Sequence, residues 1–228
     1  MQPIVKSRRY DSPHRRAQAQ ATRHGILDAA QRLFEGHSYS GTSMPAIAEE
    51  AGVALKTIYV YFPTKAAVVH ALWDARLGGD EADLPVLERE WYRAVVNEPD
   101  PERKLRLVAA QSRRVKSRSG ALLEMIRAAA PADSEIATLW SDIEAKLLDV
   151  QRSIVEQLHA TGSLASSLDV TRATDVLWTL NHPAVWQLLV VGRGWTDEQY
   201  ERWLGDAFCS QLLDGRQGDA STGDRSAD

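Results

Sequence analysis

A long apolar seam in the second half of the chain constrains the fold most strongly. Between residues 136 and 158, large apolar side chains recur at alternating steps of three and four, namely Ile136, Trp140, Ile143, Leu147, Val150, Ile154 and Leu158. That spacing places them on one face of an α-helix, because a helix turns once in about 3.6 residues. The pattern predicts a long helix at the centre of a helical domain.

Similar spacing covers most of the remaining sequence, and no segment shows the alternation typical of a β-strand. The sequence therefore predicts an all-α fold. In the N-terminal part we expect helices from Ala21 to about Gly36, from Ser43 to Gly52, over 54–61 and from Thr64 to about Leu77. Further helices are predicted over 84–97, 101–117, 120–130, 133–161, 169–191 and 196–214, with Pro183 kinking the fifth of these.

Charge is distributed unevenly along the chain. The first 65 residues carry nine Lys or Arg and five Asp or Glu, although the net charge of the whole sequence is −4. A basic segment on an acidic body is typical of a protein whose basic end meets a polyanion. An ordinary solvated face explains the asymmetry of charge equally well. Residues 1–20 look like a basic, disordered arm, and residues 215–228 look like a disordered tail.

Composition points to a soluble protein of a reducing compartment. The single cysteine, Cys209, excludes an intramolecular disulfide, and no apolar run is long enough for a membrane span. The basic N-terminus lacks the apolar core of a secretory signal. We therefore expect a cytoplasmic location and no membrane partner.

Residues 42–65 carry the clearest functional signal. Three short helices, with Gly52 in the turn between the second and third, match a helix-turn-helix, whose second helix lies in the DNA major groove. Val53, Ile58 and Phe62 supply the inner face of that helix. Its outer face carries Leu55, Lys56, Tyr59 and Val60. Such a face suits thymine methyls, guanine acceptors and the sugar-phosphate backbone better than it suits water.

The block GTSMPAIAEEAGVALKTIYVYFPTK resembles the DNA-binding segment of the tetracycline-repressor (TetR) family of transcriptional regulators. Matching positions are Thr42, Ser43, Ile47, Ala48, Ala51, Gly52, Val53, Tyr59, Tyr61, Phe62, Thr64 and Lys65. Ala54 departs from the pattern, which usually has Ser or Thr there, and loss of that helix cap costs about 1 kcal/mol. The stretch GWTDEQYERWL at 194–204 is similar to the last helix of many members.

The resemblance implies two domains, a three-helix DNA-binding domain at 21–65 and a helical effector-binding and dimerisation domain at 66–214. It implies a repressor that a small-molecule effector of unknown identity releases from a palindromic, double-stranded DNA operator. Thr42, Tyr61 and Lys65 would contact phosphates. The major groove would be contacted by Lys56, Thr57 and Tyr59, with Leu55 and Val60 as apolar contacts.

The polar insertion Asn181-His182-Pro183 interrupts an apolar helix and marks a candidate effector pocket. We expect the pocket to be lined by Trp73, Trp140, Trp178, Asn181 and His182. The alternative is a kink whose polar groups satisfy one another. The run 101–118 carries seven basic residues and one acidic residue, Glu102. It predicts either a solvated or interdomain face or the route of an anionic effector.

The helices near 169–191 and 196–214, by resemblance, pair with their copies as a four-helix bundle in a homodimer. Candidate interface residues are Leu188, Tyr200, Trp203, Leu204 and Ala207. Apolar and aromatic residues there serve equally well to close the core of the monomer.

No catalytic constellation stands out in the sequence. The six histidines lack metal-ligand spacing, and GHSYS at 36–40 lacks the second glycine of a nucleophile elbow. We therefore expect no enzyme activity, no metal and no cofactor. The competing hypothesis is a helical ligand-binding or interaction protein whose helix-turn-helix no longer functions.

Overall fold

The computed structural model describes residues 13–78 and 88–214. Within these ranges the chain is helical, and an isolated bridge between Leu164 and Leu213 is its only β-type pairing. The predicted all-α class is confirmed. The helices are α1 (Pro13–Gly41), α2 (Met44–Glu50), α3 (Leu55–Tyr61), α4 (Lys65–Gly78), α5 (Glu90–Asn97), α6 (Pro101–Ala129), α7 (Ser134–Ala160), α8 (Val170–Leu180), α9 (Pro183–Trp186) and α10 (Asp197–Leu212). A 3₁₀ turn (Ala130–Ala132) follows α6, and a π-helical turn (Gln187–Val191) follows α9.

Helix α1 is longer than predicted at both ends. It begins at Pro13, so the prediction of a disordered arm is wrong for residues 13–20, and the rest of that arm lies outside the described residues. Gly36 does not end the helix, which continues to Gly41 across a kink at Ser38 (φ 62°, ψ 173°). The predicted tail at 215–228 also lies outside the described ranges.

A single helix, α6, replaces the two helices predicted at 101–117 and 120–130. Gly120 lies inside this helix, and the indole of Trp186 packs against its backbone. A Cβ atom at Gly120 would come within 2.5 Å of Trp186 Cζ3. This glycine is a packing requirement rather than a helix terminator.

The interruption at Asn181-His182-Pro183 is a true break rather than a kink. Helix α8 ends at Leu180, Pro183 occupies the first turn of α9, and the chain then widens into the π-helical turn. Pro183 has no amide hydrogen to donate, which favours a new helix start over continuation. Helix α10 begins with a capping box between Thr196 and Gln199.

The chain divides into two compact units, one comprising the residues up to Gly79 with Met125–Leu139, the other comprising Asp80–Glu124 and the residues from Trp140 onwards. Helix α4 falls in the same unit as α1–α3, and the domain boundary near residue 65 stays a prediction. Helices α6 and α7 each contribute residues to both units. No helix among the described residues is long and apolar enough to cross a membrane.

Each unit has its own apolar core. In the first, Ile26, Ile47, Ile58, Phe62 and Val68 are at most 3% exposed, which brings α1–α4 together. In the second, a larger cluster joins α5, α6, α7, α8, α9 and α10. Its fully buried members include Leu105, Val155, Leu158, Leu177 and Phe208.

Candidate functional site

Helices α2 and α3 form a compact helix-turn-helix. Ser43 caps α2, since its hydroxyl accepts a hydrogen bond from the Ala46 amide at 3.3 Å. Gly52 makes the turn with a φ of +65°, a left-handed conformation that glycine adopts without strain. Helix α3 then starts at Leu55 without a side-chain cap, because Ala54 has no side-chain acceptor. Local sequence is sufficient to explain this motif.

The outer face of α3 is exposed and largely apolar. Leu55, Tyr59 and Val60 are 39%, 48% and 75% exposed, and Lys56 is exposed beside them. The opposite face buries Ile58 completely. In the described part of the chain, the side-chain polar groups of Lys56, Thr57, Tyr59 and Tyr61 have no hydrogen-bond partner, while Thr57 and Tyr61 are half-buried. The arrangement leaves a short helix free to present these groups to another molecule.

Thr42 does not belong to that exposed surface, and the phosphate contact predicted for it stays a prediction. The residue is 3% exposed, and its Oγ1 donates to the carbonyl oxygens of Ser38 at 2.8 Å and Leu33 at 3.3 Å. The physical reason is the kink at Ser38, which brings the end of α1 over Thr42 and uses its hydroxyl as an internal cap.

Lys65 also forms hydrogen bonds within the protein, and the phosphate contact predicted for it stays a prediction. Its Nζ donates to the carbonyl oxygens of Tyr39 at 2.7 Å and Thr42 at 2.9 Å, and lies 4.0 Å from the centroid of the Tyr39 ring. Burial lowers the pKa of Lys65, while the nearby Asp133 carboxylate opposes that shift. Lys65 therefore ties the end of α1 to the start of α4.

Two residues that the sequence analysis missed complete this arrangement. The Tyr39 hydroxyl donates to Asp133 Oδ2 at 2.5 Å, and Asp133 Oδ1 accepts from the amides of Glu135 and Ile136 at the start of α7. Thr64 caps α4 and donates to Glu135 Oε2 at 2.9 Å. The hydrogen bond from Tyr39 lowers the pKa of Asp133. Tyr39 and Asp133 are 94 positions apart, so no local pattern could have paired them.

Three of the five predicted effector residues come together in the second unit. The His182 ring lies 5.0 Å from that of Trp178 and 6.2 Å from that of Trp140, measured between centroids. His182 Nδ1 accepts from the Ala184 amide, and its Nε2 lies 3.5 Å from Glu144 Oε1. Trp73 is 6% exposed and falls in the first unit, so its place in the effector pocket stays a prediction. A periodic apolar position cannot reveal which of two cores it fills.

Asn181 belongs to a separate, buried polar network. Its Oδ1 accepts from Ser112 Oγ at 2.6 Å and from Lys116 Nζ at 2.9 Å, and its carbonyl oxygen accepts from the same ammonium at 2.7 Å. Lys116 also donates to Ser112 Oγ and to Tyr200 Oη. The network supplies hydrogen-bond partners to the polar groups at Asn181, where α8 ends. The sequence analysis gave polar groups that satisfy one another as the alternative to a pocket. The predicted role of Asn181 in lining the effector pocket stays a prediction.

The basic residues of the run at 101–118 have different surroundings. Arg106 pairs with Glu102 and Asp206, and Arg113 pairs with Glu201. Lys104 and Lys116 are buried at 5% and 4% exposure. Burial lowers the pKa of Lys116 well below its ordinary value. Lys104 and Lys116 therefore face the core, whereas Arg103, Arg106, Arg114 and Arg118 are exposed.

Two of the predicted dimer residues are unavailable for association. Tyr200 and Leu204 are 0% exposed because one face of α10, together with Phe208 and Leu212, closes the core of the second unit. Leu188 is 68% exposed on the π-helical turn, close in sequence to Val191 at 64%. Trp203 and Ala207 are half-buried, and the Trp203 ring lies edge-on to that of Trp195.

Comparison with known proteins identifies relatives along most of the chain. The family described as bacterial regulatory proteins, tetR family, matches residues 26–72. The transcriptional repressor KstR of Rhodococcus jostii (strain RHA1) is 32% identical over 162 residues, which cover 68% of each protein. The transcriptional regulator AcrR of Shigella flexneri is 35% identical over 82 residues, and that match spans only 36% of either chain.

Solved structures extend the similarity to the whole fold. The transcriptional regulator FadR from Bacillus subtilis, in complex with stearoyl-CoA, aligns with a TM-score of 0.66 at 20% identity. The alignment covers 82% of this chain and 97% of that one. At this level of identity the likeness concerns the fold alone.

Proposed function

Because the chain belongs to the tetR family of bacterial regulatory proteins, we propose that it is a sequence-specific DNA-binding transcriptional regulator. We further propose that it represses transcription from a near-palindromic operator and is released by a small-molecule effector. Two relatives that are matched over at least two thirds of their length, KstR of Rhodococcus jostii (strain RHA1) and KstR of Mycobacterium tuberculosis (strain ATCC 25618 / H37Rv), are transcriptional repressors.

The outer face of α3 is the observation that carries the DNA-binding proposal. A short helix exposes Val60, Tyr59 and Leu55 without protein partners, which is unfavourable in water unless another surface covers them. Leu55 and Val60 suit the methyl groups of thymine, and Lys56, Thr57 and Tyr59 suit the acceptors of base edges in the major groove. Tyr61 offers its hydroxyl to a phosphate, which fixes register without reading sequence.

Dimerisation supplies the operator symmetry. Leu188 and Val191 form an exposed apolar pair on the π-helical turn, and Trp203 and Ala207 on α10 remain half-buried. A second copy packed on these residues would present two α3 helices related by a two-fold axis. Two such helices bind half-sites about one DNA turn apart, which makes a palindromic operator the natural target.

The effector acts through the second unit. A solved structure with this fold contains stearoyl-CoA, which supports a helical body that accepts a small molecule. A ligand can shift the protein between DNA-binding and released states only by binding one of them more tightly.

Selection of duplexes from a random library, followed by affinity measurements over a range of salt concentrations, tests the proposal. The selected duplex should bind at least about a thousandfold more tightly than a scrambled duplex of the same length, with affinity falling steeply as salt rises. Equal affinity for both duplexes would contradict a sequence-specific regulator. Transcription from a promoter carrying the selected site should fall when the protein is added, and a rise would contradict repression.

A further inference from the structure

The backbone of Ser38 has a conformation that residues other than glycine rarely adopt. Its φ of 62° and ψ of 173° lie in a region that is nearly exclusive to glycine, because a Cβ atom there crowds the backbone. Among the described residues it is the only one other than glycine with a positive φ. Such a conformation persists only where surrounding contacts hold it, and it is concentrated at binding sites and switch regions of proteins.

Tyr39, the next residue, supplies the contacts that hold this kink. Its hydroxyl donates to Asp133 Oδ2 at 2.5 Å, and its carbonyl oxygen accepts from Lys65 Nζ at 2.7 Å. The same ammonium lies 4.0 Å from the centroid of the Tyr39 ring, which stacks on the ring of Phe34. Tyr39 is 7% exposed, so these contacts are shielded from water. A cation from α4 and a carboxylate from the corner between α6 and α7 thus fix one residue at the end of α1.

The kink leads directly into the helix-turn-helix. Thr42 Oγ1 donates to the Ser38 carbonyl oxygen at 2.8 Å, and the Thr42 carbonyl oxygen accepts from Lys65 Nζ at 2.9 Å. Ser43, which caps α2, follows Thr42. The position of α2, and with it the position of α3 after the turn, therefore depends on the conformation of residues 38–42.

The carboxylate that holds Tyr39 is fixed to the start of α7. Asp133 Oδ1 accepts from the amides of Glu135 and Ile136 in the first turn of that helix. A displacement of α7 therefore moves the carboxylate to which Tyr39 donates. Because α6 and α7 each contribute residues to both units, a shift of either helix in the second unit changes the hydrogen bond at Tyr39.

We propose that Tyr39 is a positioning residue for DNA binding, and that its release from Asp133 lets the strained Ser38 relax and moves the helix-turn-helix out of its DNA-binding arrangement. The inference rests on the proposed DNA-binding function and specifies how that function is regulated. Strain at Ser38 narrows the free-energy gap between the two arrangements, so the loss of one hydrogen bond is enough to change their populations. An effector that shifts α6 or α7 acts through this bond.

The strain at Ser38 is tested first, by comparing the effects of glycine and alanine on the Tm at two positions. Ser38→Gly should have a Tm about 2–4 °C above that of Ser38→Ala, because only the former relieves the strain. Ser40 is the matched control, since it is exposed and its backbone is helical, and there Ser40→Ala should have the higher Tm. A Tm of Ser38→Gly equal to or below that of Ser38→Ala would overturn the proposal.

Affinity for the selected duplex then tests the coupling, at a temperature where every variant is folded. Tyr39→Phe should bind about tenfold more weakly than the wild type with the same dependence on salt, because the buried hydroxyl contacts no phosphate. Tyr92→Phe is the matched control, since Tyr92 is also 7% exposed and its hydroxyl pairs with Ser153 Oγ at 2.8 Å in the second unit. The control should keep the wild-type affinity. Wild-type affinity of Tyr39→Phe, or an equal loss in both variants, would overturn the proposal.

A double variant separates a positioning role from a general loss of stability. When Ser38→Gly is added to Tyr39→Phe, it removes the strain that the lost hydrogen bond opposed, and most of the affinity should return. Ser40→Gly added to Tyr39→Phe should restore none of it. No recovery with Ser38→Gly, or equal recovery with both substitutions, would overturn the proposal.

Failure of the coupling and failure of the proposed function give different results. A wild type that binds the selected and scrambled duplexes equally contradicts the proposed function, and the coupling fails with it. A wild type that prefers the selected duplex, together with a Tyr39→Phe variant of the same affinity, contradicts the coupling alone.

Discussion

Tyr59 and Lys65 were both predicted from the sequence to contact DNA, yet they have different surroundings. Tyr59 is 48% exposed and its hydroxyl has no partner in the described part of the chain, whereas the Lys65 ammonium donates to the carbonyl oxygens of Tyr39 and Thr42. A change at Lys65 therefore alters the packing of the helix-turn-helix as well as any contact with phosphate. Tyr59 provides the cleaner test of DNA recognition.

Replacement of Tyr59 by alanine should reduce discrimination between the selected and scrambled duplexes while leaving stability nearly unchanged. The side chain makes no described polar contact within the protein, and loss of one base contact typically costs about 1–3 kcal/mol of specificity. Fluorescence anisotropy with both duplexes measures the ratio, and urea unfolding measures stability. If affinity for both duplexes falls by the same factor, Tyr59 contacts the backbone rather than the bases.

Lys116 gives a pH-dependent prediction. Lys116→Met keeps most of the aliphatic volume but leaves the Asn181 carbonyl and the Tyr200 hydroxyl without their donor, so stability should fall by about 1–3 kcal/mol. The folded pKa of Lys116 is lowered, and the unfolded chain therefore binds more protons between that value and about 10.4. Over this window the wild type gains stability as pH rises, and the variant lacks that gain.

The stability difference between wild type and Lys116→Met should therefore be larger at about pH 9 than at about pH 6. Urea unfolding of both proteins at the two pH values measures it, and other titrating groups cancel in the difference. A difference that does not change with pH would show that Lys116 keeps an ordinary pKa in the folded protein.

At the scale of elements, the end of α1 and the start of α7 are held together by side chains rather than by a shared apolar stripe alone. Tyr39 donates to Asp133, Thr64 donates to Glu135, and Lys65 packs over the Tyr39 ring. Asp133 also caps α7 through two amides. The α6–α7 corner is thereby fixed to the unit that contains the helix-turn-helix.

Tyr39→Phe removes the hydroxyl that pairs with Asp133 and should destabilise the protein by about 1–3 kcal/mol, since the lost bond involves a charged acceptor. Because the folded pKa of Asp133 is lowered, its contribution is present above the unfolded pKa and is lost as pH falls through the folded value. The difference between wild type and variant should therefore shrink in acid.

Urea unfolding at neutral pH and below about pH 4 measures the effect of Tyr39→Phe. Tyr61→Phe provides the control, because the Tyr61 hydroxyl has no partner in the described ranges and its loss should leave stability unchanged. Equal effects of the two substitutions would show that the Tyr39–Asp133 bond contributes nothing to the fold.

At the scale of the whole molecule, the exposed residues of the π-helical turn decide the assembly. Leu188→Glu places a charge in the proposed apolar interface, where its desolvation is uncompensated, and should convert the dimer into a monomer. Sedimentation equilibrium over a range of concentrations measures the mass. Leu148→Glu on α7 is the matched control, since Leu148 is 39% exposed and lies outside the proposed interface. A dimer that survives Leu188→Glu places the interface elsewhere.

The sequence alone determined the features that depend on neighbours within one or two turns. The helix-turn-helix, the caps at Ser43 and Thr196, the positive φ at Gly52 and the outward face of α3 all follow from short-range rules of capping and periodicity. The family followed from the same local block. The sequence analysis divided α6 at residues 118–119, and it did not show that Gly120 admits the Trp186 ring.

Only the tertiary structure decided which polar groups are already occupied and which apolar faces are already covered. Thr42 is buried by the kinked end of α1, Tyr39 finds Asp133 across 94 positions, and Lys116 finds Tyr200 across 84. Tyr200 and Leu204 fill the core of their own chain, while Leu188 does not. Periodicity identifies the face of a helix that is apolar. It does not identify the surface that covers that face, because the partner residues are brought together by the path of the whole chain.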